Sequence, residues 1–406
     1  MSPVVHRLTL TVETQVESRY LEVPFDVSSA TSLEVTLAYD TKVAVVDLGC
    51  RDPNRWRGWS GSARSRFVIG TDVATPGYEP GELPRGPWAV VLGLHTIPAG
   101  GVEVEVTISV PAVGSVEQET VAPPPPTGAR GSARNLPSLE GLTWFAGDFH
   151  SHTLHSDGDH TIAQLAAAAT DRGLDFLAVT DHNTVSHHPH LPGVGAAYDI
   201  ALLPGQEVTT RRGHANAFGD IGWVDFRNPP DDWVTDVAGR GGILSINHPI
   251  DGEWAWQHPL AELPLALEFW HIGWFRDLTA TAPWALWPHW RQDAVLLGGS
   301  DFHNTSHGYP PGTPTTWVAA EDRSPEAILA GVAAGRTAIT RFPLPGEPAL
   351  VRVGEELVAV DADDTVLVDI RGAMRVVRGD LQSLGDVANG PYRLQSADGA
   401  LLAISR

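Results

Sequence analysis

The sequence predicts a mixed α/β chain: an N-terminal β-sandwich, a central set of parallel strands covered by helices, and a small β-rich C-terminal segment. Three observations predict it. Up to about residue 112, alternating runs such as "LEVTLAYD", "VAVVDLG", "WAVVLGL" and "VEVEVTISV" are separated by Gly, Pro, Asn and Asp turns, the period-two grammar of half-buried strands. At residues 121–141, "VAPPPPTGARGSARNLPSLEG" interrupts that grammar with backbone too stiff and too polar to serve as core. From Trp144 onward, strand-like runs ("LDFLAVTDHN", "ILSINHP", "AVLLGGSDFH") alternate with helix-like ones ("TIAQLAAAATDRG", "SPEAILAGVAAGR"), as in a barrel or a doubly wound sheet.

Taken in order, these signals place a β-sandwich module at residues 1–118, a Pro- and Gly-rich linker at 119–141, an α/β domain at 142–345 and a small β-rich segment at 346–406. A chain of 406 residues exceeds one ordinary core, which agrees with several domains. The N-terminal "MSPVVHRLTLTVETQVESRYLEV" alternates too regularly for a signal peptide, and no stretch is long and apolar enough for a membrane span, so the expected location is the cytoplasm.

Charge and cysteine content narrow the chemistry. With 27 Lys and Arg against 49 Asp and Glu, the formal net charge of −22 argues against nucleic acid or an anionic membrane as partner and leaves a small-molecule substrate. Cys50 is the single cysteine, so neither an intrachain disulfide nor a thiolate zinc site can form, and any metal must be held by His and carboxylates. No G-x-S-x-G elbow occurs, which argues against a Ser-His-Asp hydrolase.

Metal-type side chains fall at the ends of the central strands. His150 and His152 close "AGDFHSH", Asp181 and His182 close "FLAVTDH", Glu207 follows "ALLPGQE", His248 closes "ILSINH", and Asp301 and His303 close "VLLGGSDFH". In α/β folds the C-terminal strand ends converge on the functional face, and an H-x-H or D-x-H pair puts both side chains on one side of a strand. Five separate segments therefore aim ligand-type groups at one place.

The ordered set "DFHSHTLHSDG", "TDHN", "GQE", "GHANAFG", "NHP" and "GSDFH" resembles the successive motifs of the PHP (polymerase and histidinol phosphatase) metallohydrolases. Within that superfamily, "LLPGQEVTTRRGHANAFG" and the preceding β-module are similar to the CehA/McbA-like branch, which includes aryl carbamate hydrolases. The resemblance covers residues 144 to about 340. It implies a distorted (β/α)7 barrel with two or three divalent ions at the C-terminal strand face. It also implies a first ion held by His150, His152, Glu207 and Asp301, and a second shared by Glu207 with His214 and His248. A third would be held by Asp157, His182 and His303. Glu207, Asp301, His182 and Asp157 are thereby the expected catalytic residues.

The donor set itself, six imidazoles and three carboxylates without a thiolate, suits Zn, Mn or Fe(II). Such ions lower the pKa of bound water from about 15.7 to near 7, so a metal-bound hydroxide is the expected nucleophile. Arg211 and Arg212, ahead of "GHANAFG", His187 in "SHHPH", and Arg276 are the candidate substrate-binding residues. Seven tryptophans between Asp251 and Trp290 suggest an aromatic pocket wall. The expected activity is hydrolysis of ester-type bonds in a small molecule, aryl carbamates or esters slightly favoured, with phosphoester hydrolysis as the alternative.

Overall fold

The computed structural model describes residues 3–116, 120–386 and 390–406, so the module end expected at residue 118 falls outside the described residues. The chain divides into two units. The first comprises Met1–Val121 with Thr153–Asp159 and Asp181–His187, and the second Ala122–His152, His160–Thr180 and His188–Arg406.

The first unit is a pair of antiparallel four-stranded sheets. One has the order β1 (Val4–Leu10), β8 (Val102–Ser109), β3 (Ser32–Ala38), β6 (Arg66–Gly70); the other β2 (Tyr20–Val27), β7 (Gly86–Thr96), β4 (Val45–Arg51), β5 (Trp56–Gly61). Alternate residues are buried along β3 and β8, so Leu33, Val35, Leu37, Val104 and Val106 face inward. They share one core with Val46, Leu48, Trp88, Val90 and Leu92 of the other sheet. Burying such paired inner faces is what makes a sandwich stable.

In the second unit, the central strands are β9 (Thr143–Asp148), β10 (Phe176–Val179), β11 (Ala201–Thr210), β12 (Gly213–Phe218), β13 (Ile243–Ile246), β14 (Ala266–His271), β15 (Val295–Gly299), β16 (Thr315–Ala320) and β17 (Thr337–Thr340). They pair in the order β15-β14-β13-β12-β11-β10-β9-β16-β17. The first helix, Ile162–Asp171, starts at a Thr161/Gln164 capping box and buries Leu165, Ala166 and Ala169. Parallel pairing holds for β9 with β10, β10 with β11, β13 with β14, and β14 with β15.

The strand pairing among the described residues does not show a closed (β/α)7 barrel. Only the residues Arg211 and Arg212 separate β11 from β12, so the two make an antiparallel hairpin where a helical crossover was expected. At the other side no strand ladder joins β15 to β9 among the described residues. A single parallel bridge, Ser151 to Phe302, links the segments that follow them. The result is a curled mixed sheet with few helices.

The stretch read as a linker packs in part on the second unit. Arg130 donates to the carbonyls of Thr170, Leu174, Tyr198 and Asp199 at 2.9–3.4 Å, at the ends of two helices, and Leu136 is buried. C-terminal strands β18 (Ala349–Val353), β19 (Glu356–Val360) and β22 (Leu381–Asp386) form a small sheet. Beyond them β20 (Val366–Val368), β21 (Met374–Val376), β23 (Tyr392–Gln395) and β24 (Leu401–Ser405) extend the large sheet, β24 pairing with β17. Among the described residues no helix is long and apolar enough to cross a membrane.

Candidate metal centre

Two carboxylates, one fully buried and one partly exposed, organise the strand-end cluster of the second unit. Glu207, on β11, is fully buried, and its Oε1 lies 3.1 Å from His150 Nε2, 3.2 Å from His214 Nδ1 and 3.6 Å from His248 Nε2. Its Oε2 lies 3.6 Å from His152 Nε2. Asp301, just beyond β15, places Oδ1 at 3.2 Å from His150 Nε2, 3.0 Å from His152 Nε2 and 3.6 Å from His303 Nδ1. Hence His150, His152, Glu207 and Asp301 converge, and His214 and His248 approach the same Glu207 oxygen as His150.

A divalent cation fits this arrangement. His150 Nε2 is buried and makes no hydrogen bond, yet it faces two carboxylate oxygens. The donor atoms of His150, His152 and Glu207 all lie within 4.8 Å of one another. Buried lone pairs gathered this closely are costly unless a cation sits among them. Burial opposes charge on both groups, but the carboxylates of Asp301, Glu207 and Glu268 raise the His150 imidazole well above its ordinary pKa. Against the same burial, His150 and His303 hold Asp301 well below the usual carboxylate range. The cluster therefore attracts positive charge, whether a proton or a metal ion.

The backbone aims these groups at a cost. His248 and Asp301 are held at φ +29° and +49°, left-handed conformations that cost a non-glycine residue about 1–3 kcal/mol. Asp148, at the end of β9, compensates by accepting the His150 N–H at 3.0 Å, the Ser300 N–H at 3.0 Å and the Gly312 N–H at 2.7 Å. One carboxylate thus ties together the turns that present His150 and Asp301.

Two groups escaped the sequence reading: Glu268 and His271, both on β14. Glu268 Oε1 lies 2.9 Å from His150 Nδ1, and its Oε2 accepts the His248 N–H at 2.7 Å. That contact holds the His150 Nδ1 proton and directs Nε2 toward Glu207 and Asp301. His271 Nε2 lies 3.4 Å from Asp301 Oδ2, and its Nδ1 lies 3.1 Å from Asp251 Oδ2. Strict alternation puts residues 268 and 271 on opposite faces of a strand, but a register shift between Glu268 and Trp270 brings both to the cluster. The available signal was a glutamate and a strand-terminal histidine inside an apolar run, "LALEFWH".

Asp157 and His182 belong to the first unit, where His182 Nε2 lies 3.5 Å from Asp157 Oδ1. His187, also there, is buried with its Nδ1 3.3 Å from Asp181 Oδ2. In the second unit, Arg211 and Arg212 are exposed in the hairpin turn, Arg212 donating to the Gln257 carbonyl at 2.7 Å. Arg276 is exposed at the end of a short helix.

Beside the cluster lies a cavity of ≈ 180 Å³, bounded by His248, Glu268 and His271 on one side and by Phe269, Trp274 and Leu286 on the other. Of the seven tryptophans expected to wall a pocket, Trp274 lines it. Trp270 and Trp287 are core residues, and Trp254 is exposed.

No protein-family model matches the chain. No curated protein matches it either. Among solved structures, it is similar to a two-domain protein from Bacteroides vulgatus described as containing a predicted PHP-like metal-dependent phosphoesterase, with 16% identity over 72% of this chain and 100% of that one, at a TM-score of 0.38. A protein from Bifidobacterium adolescentis assigned as a metal-dependent phosphoesterase is 18% identical over 46% of this chain and 95% of its own, at a TM-score of 0.30. An amidohydrolase from Chromobacterium violaceum with bound sulfate is 16% identical over 49% of this chain and 99% of its own, at a TM-score of 0.29. Identities and scores of this size assign neither fold nor activity to this chain.

Proposed function

We propose that the chain is a metal-dependent hydrolase of the PHP type that cleaves an ester-type bond of a small molecule. One observation carries the reading: buried Glu207 and partly exposed Asp301 are each ringed by imidazoles at 3.0–3.6 Å, with His150 Nε2 facing both. Two or three divalent ions (Zn, Mn or Fe) bound here would supply an activated water near neutral pH and a Lewis acid for the bond under attack. The chain's part is to hold donors in place. His150, His152, Glu207 and Asp301 present one set, and Glu207 with His214 and His248 presents another. Asp157, His182 and His303 complete the ligand set that the motif order implies. Glu268 fixes the ring orientation of His150.

The adjoining cavity supports a neutral organic group as the non-reacting part of the substrate. Its walls are largely apolar, it includes the carboxylates of Asp251 and Glu268, and no Lys or Arg is among its described lining residues. A phosphate dianion is better served by cationic donors. On this ground we favour aryl carbamates or carboxyl esters slightly, with phosphoesters as the alternative. The test is elemental analysis of the purified protein, then assay of aryl carbamates, carboxyl esters, phosphomonoesters and phosphodiesters with Zn, Mn and Fe(II) restored separately. Turnover of neutral aryl substrates, with a raised KM in Trp274→Ala, is expected. Preference for aliphatic phosphomonoesters would reverse the substrate order, and no turnover of any class would remove the hydrolase reading.

A further inference from the structure

The first unit contains more than a sandwich. Two short segments, Thr153–Asp159 and Asp181–His187, are integral to it, and they carry Asp157 and His182. The hydrogen bonds that hold them come from two places in the β-module. Arg64, in the turn between β5 and β6, donates from one guanidinium nitrogen to the Ser156 carbonyl at 2.8 Å and from the other to the Leu154 carbonyl. Arginine suits this task because its fork presents several rigid donors at once.

Gly77 is the second place. Its N–H donates to Ser186 Oγ at 3.1 Å, with His155 Nδ1 at 3.4 Å, and its carbonyl accepts Thr184 Oγ1 at 2.9 Å and the Trp59 N–H at 3.0 Å. A side chain cannot be accommodated there. Gly77 sits at φ +98°, and a Cβ would fall 2.8 Å from the His155 carbonyl oxygen and 2.8 Å from that of Trp59. The loop that presents Gly77 is itself pinned by fully buried Arg57, which donates to the Glu79 and Glu82 carbonyls at 3.1 Å each and to Asp52 Oδ2 at 3.2 Å.

The two segments are also fastened to each other. Asp181 accepts the Thr153 N–H at 2.8 Å, Thr153 Oγ1 at 2.7 Å and Ser156 Oγ at 2.7 Å. As a result Asp157 is flanked by Ser156 and by Gly158, whose N–H donates to the Thr153 carbonyl at 3.1 Å. His182 follows Asp181 and lies two residues before Thr184. Both side chains therefore hang from backbone that the β-module immobilises.

We infer that the N-terminal β-module is a positioning element for metal ligands: Arg64 and the Gly77 peptide set the placement of Asp157 and His182. This rests on the reading that Asp157 and His182 bind a metal ion. All nine candidate ligand positions lie beyond the Pro-rich stretch in sequence, whereas Arg64 and Gly77 precede it.

The test uses the full-length chain and reads metal content. Arg64→Ala, Arg64→Lys and Gly77→Ala are compared with Asp157→Ala and His182→Ala by elemental analysis after equilibration with Mn or Zn, and by titration of the weakest-bound equivalent. Circular dichroism and thermal unfolding monitor folding. Asp157→Ala and His182→Ala are expected to lose one equivalent and keep the metal that depends on Glu207. Arg64→Ala and Gly77→Ala are expected to weaken that same equivalent about 10- to 100-fold, the usual cost of losing a group that orients a ligand, with Arg64→Lys partly restoring it. If Asp157→Ala and His182→Ala leave metal content unchanged, the ligand reading falls and the inference with it. If they lower it but folded Arg64→Ala and Gly77→Ala bind like the parent, or lose all ions equally, the β-module does not position these ligands and the inference alone is overturned.

Discussion

Glu207 is the residue on which the centre depends most, since four imidazole nitrogens lie within 3.6 Å of its two oxygens. Glu207→Ala is expected to abolish metal retention and hydrolysis together, and a variant that kept full metal and turned over would refute the centre. Glu268 acts through His150. Replacing it with Gln keeps an acceptor for one neighbour but cannot serve both the His150 ring and the His248 N–H as two carboxylate oxygens do. Metal affinity in Glu268→Gln should fall about 10- to 100-fold, measured by competition with a chelator. Further out, burial, with help from the positive charges of Arg212 and His214, pushes the His258 imidazole down from 6.5 to about 4, and its Nε2 lies 2.7 Å from Thr210 Oγ1. The folded state thus binds this proton less readily than the unfolded chain. Its contribution to stability is complete above pH 6.5 and is lost as pH falls toward 4. Denaturant unfolding at pH 7 and pH 4.5 should show a smaller acid loss in His258→Gln than in the parent; an equal loss would assign the acid sensitivity elsewhere.

At the level of elements, strand β15 shows how close packing shapes the centre. A Cβ at Gly299 would lie 2.3 Å from Glu268 Oε1 and 2.5 Å from His150 Cβ, so glycine there lets β14, β15 and the end of β9 approach. Gly299→Ala is expected to cost about 1–3 kcal/mol from overpacking and to weaken metal binding by displacing the two side chains it strikes. Urea unfolding and metal titration check both effects; a stable variant with parental affinity would show that the strands have slack. The hairpin of β11 and β12 serves the centre in another way. Its registration sets Thr209 opposite His214 and Glu207 opposite Asn216, so Glu207 and His214 approach across one turn of chain.

For the molecule as a whole, a ligand that binds only the folded state stabilises it by mass action, about 2.7 kcal/mol at a free concentration one hundred times Kd. Because His150, His152, Glu207, His214, His248, Asp301 and His303 all belong to the second unit, chelation should lower its melting temperature by several degrees and metal should restore it. Unfolding curves that coincide with and without chelator would argue against a bound ion in the native state. The acidic balance of 49 Asp and Glu against 27 Lys and Arg works in the same direction, since it favours cation capture.

Much of this was legible in the sequence because it is local. Period-two alternation marked β3 and β8, and the placement of His150, His152, Glu207, His248 and Asp301 at strand ends followed from runs of a few residues each. Motif order along the chain then implied a ligand set. Sequence by itself determined which residue types meet and at which end of the strands. Tertiary structure decided the partners: that Glu268 orients His150 through a bulge in β14, that a two-residue turn makes β11 and β12 a hairpin, and that residues 153–159 and 181–187 are held by Arg64 and Gly77. The side-chain contacts join positions 92 to 118 residues apart and the bulge depends on a one-residue change of register, and a local pattern of polar and apolar residues encodes neither distance nor register.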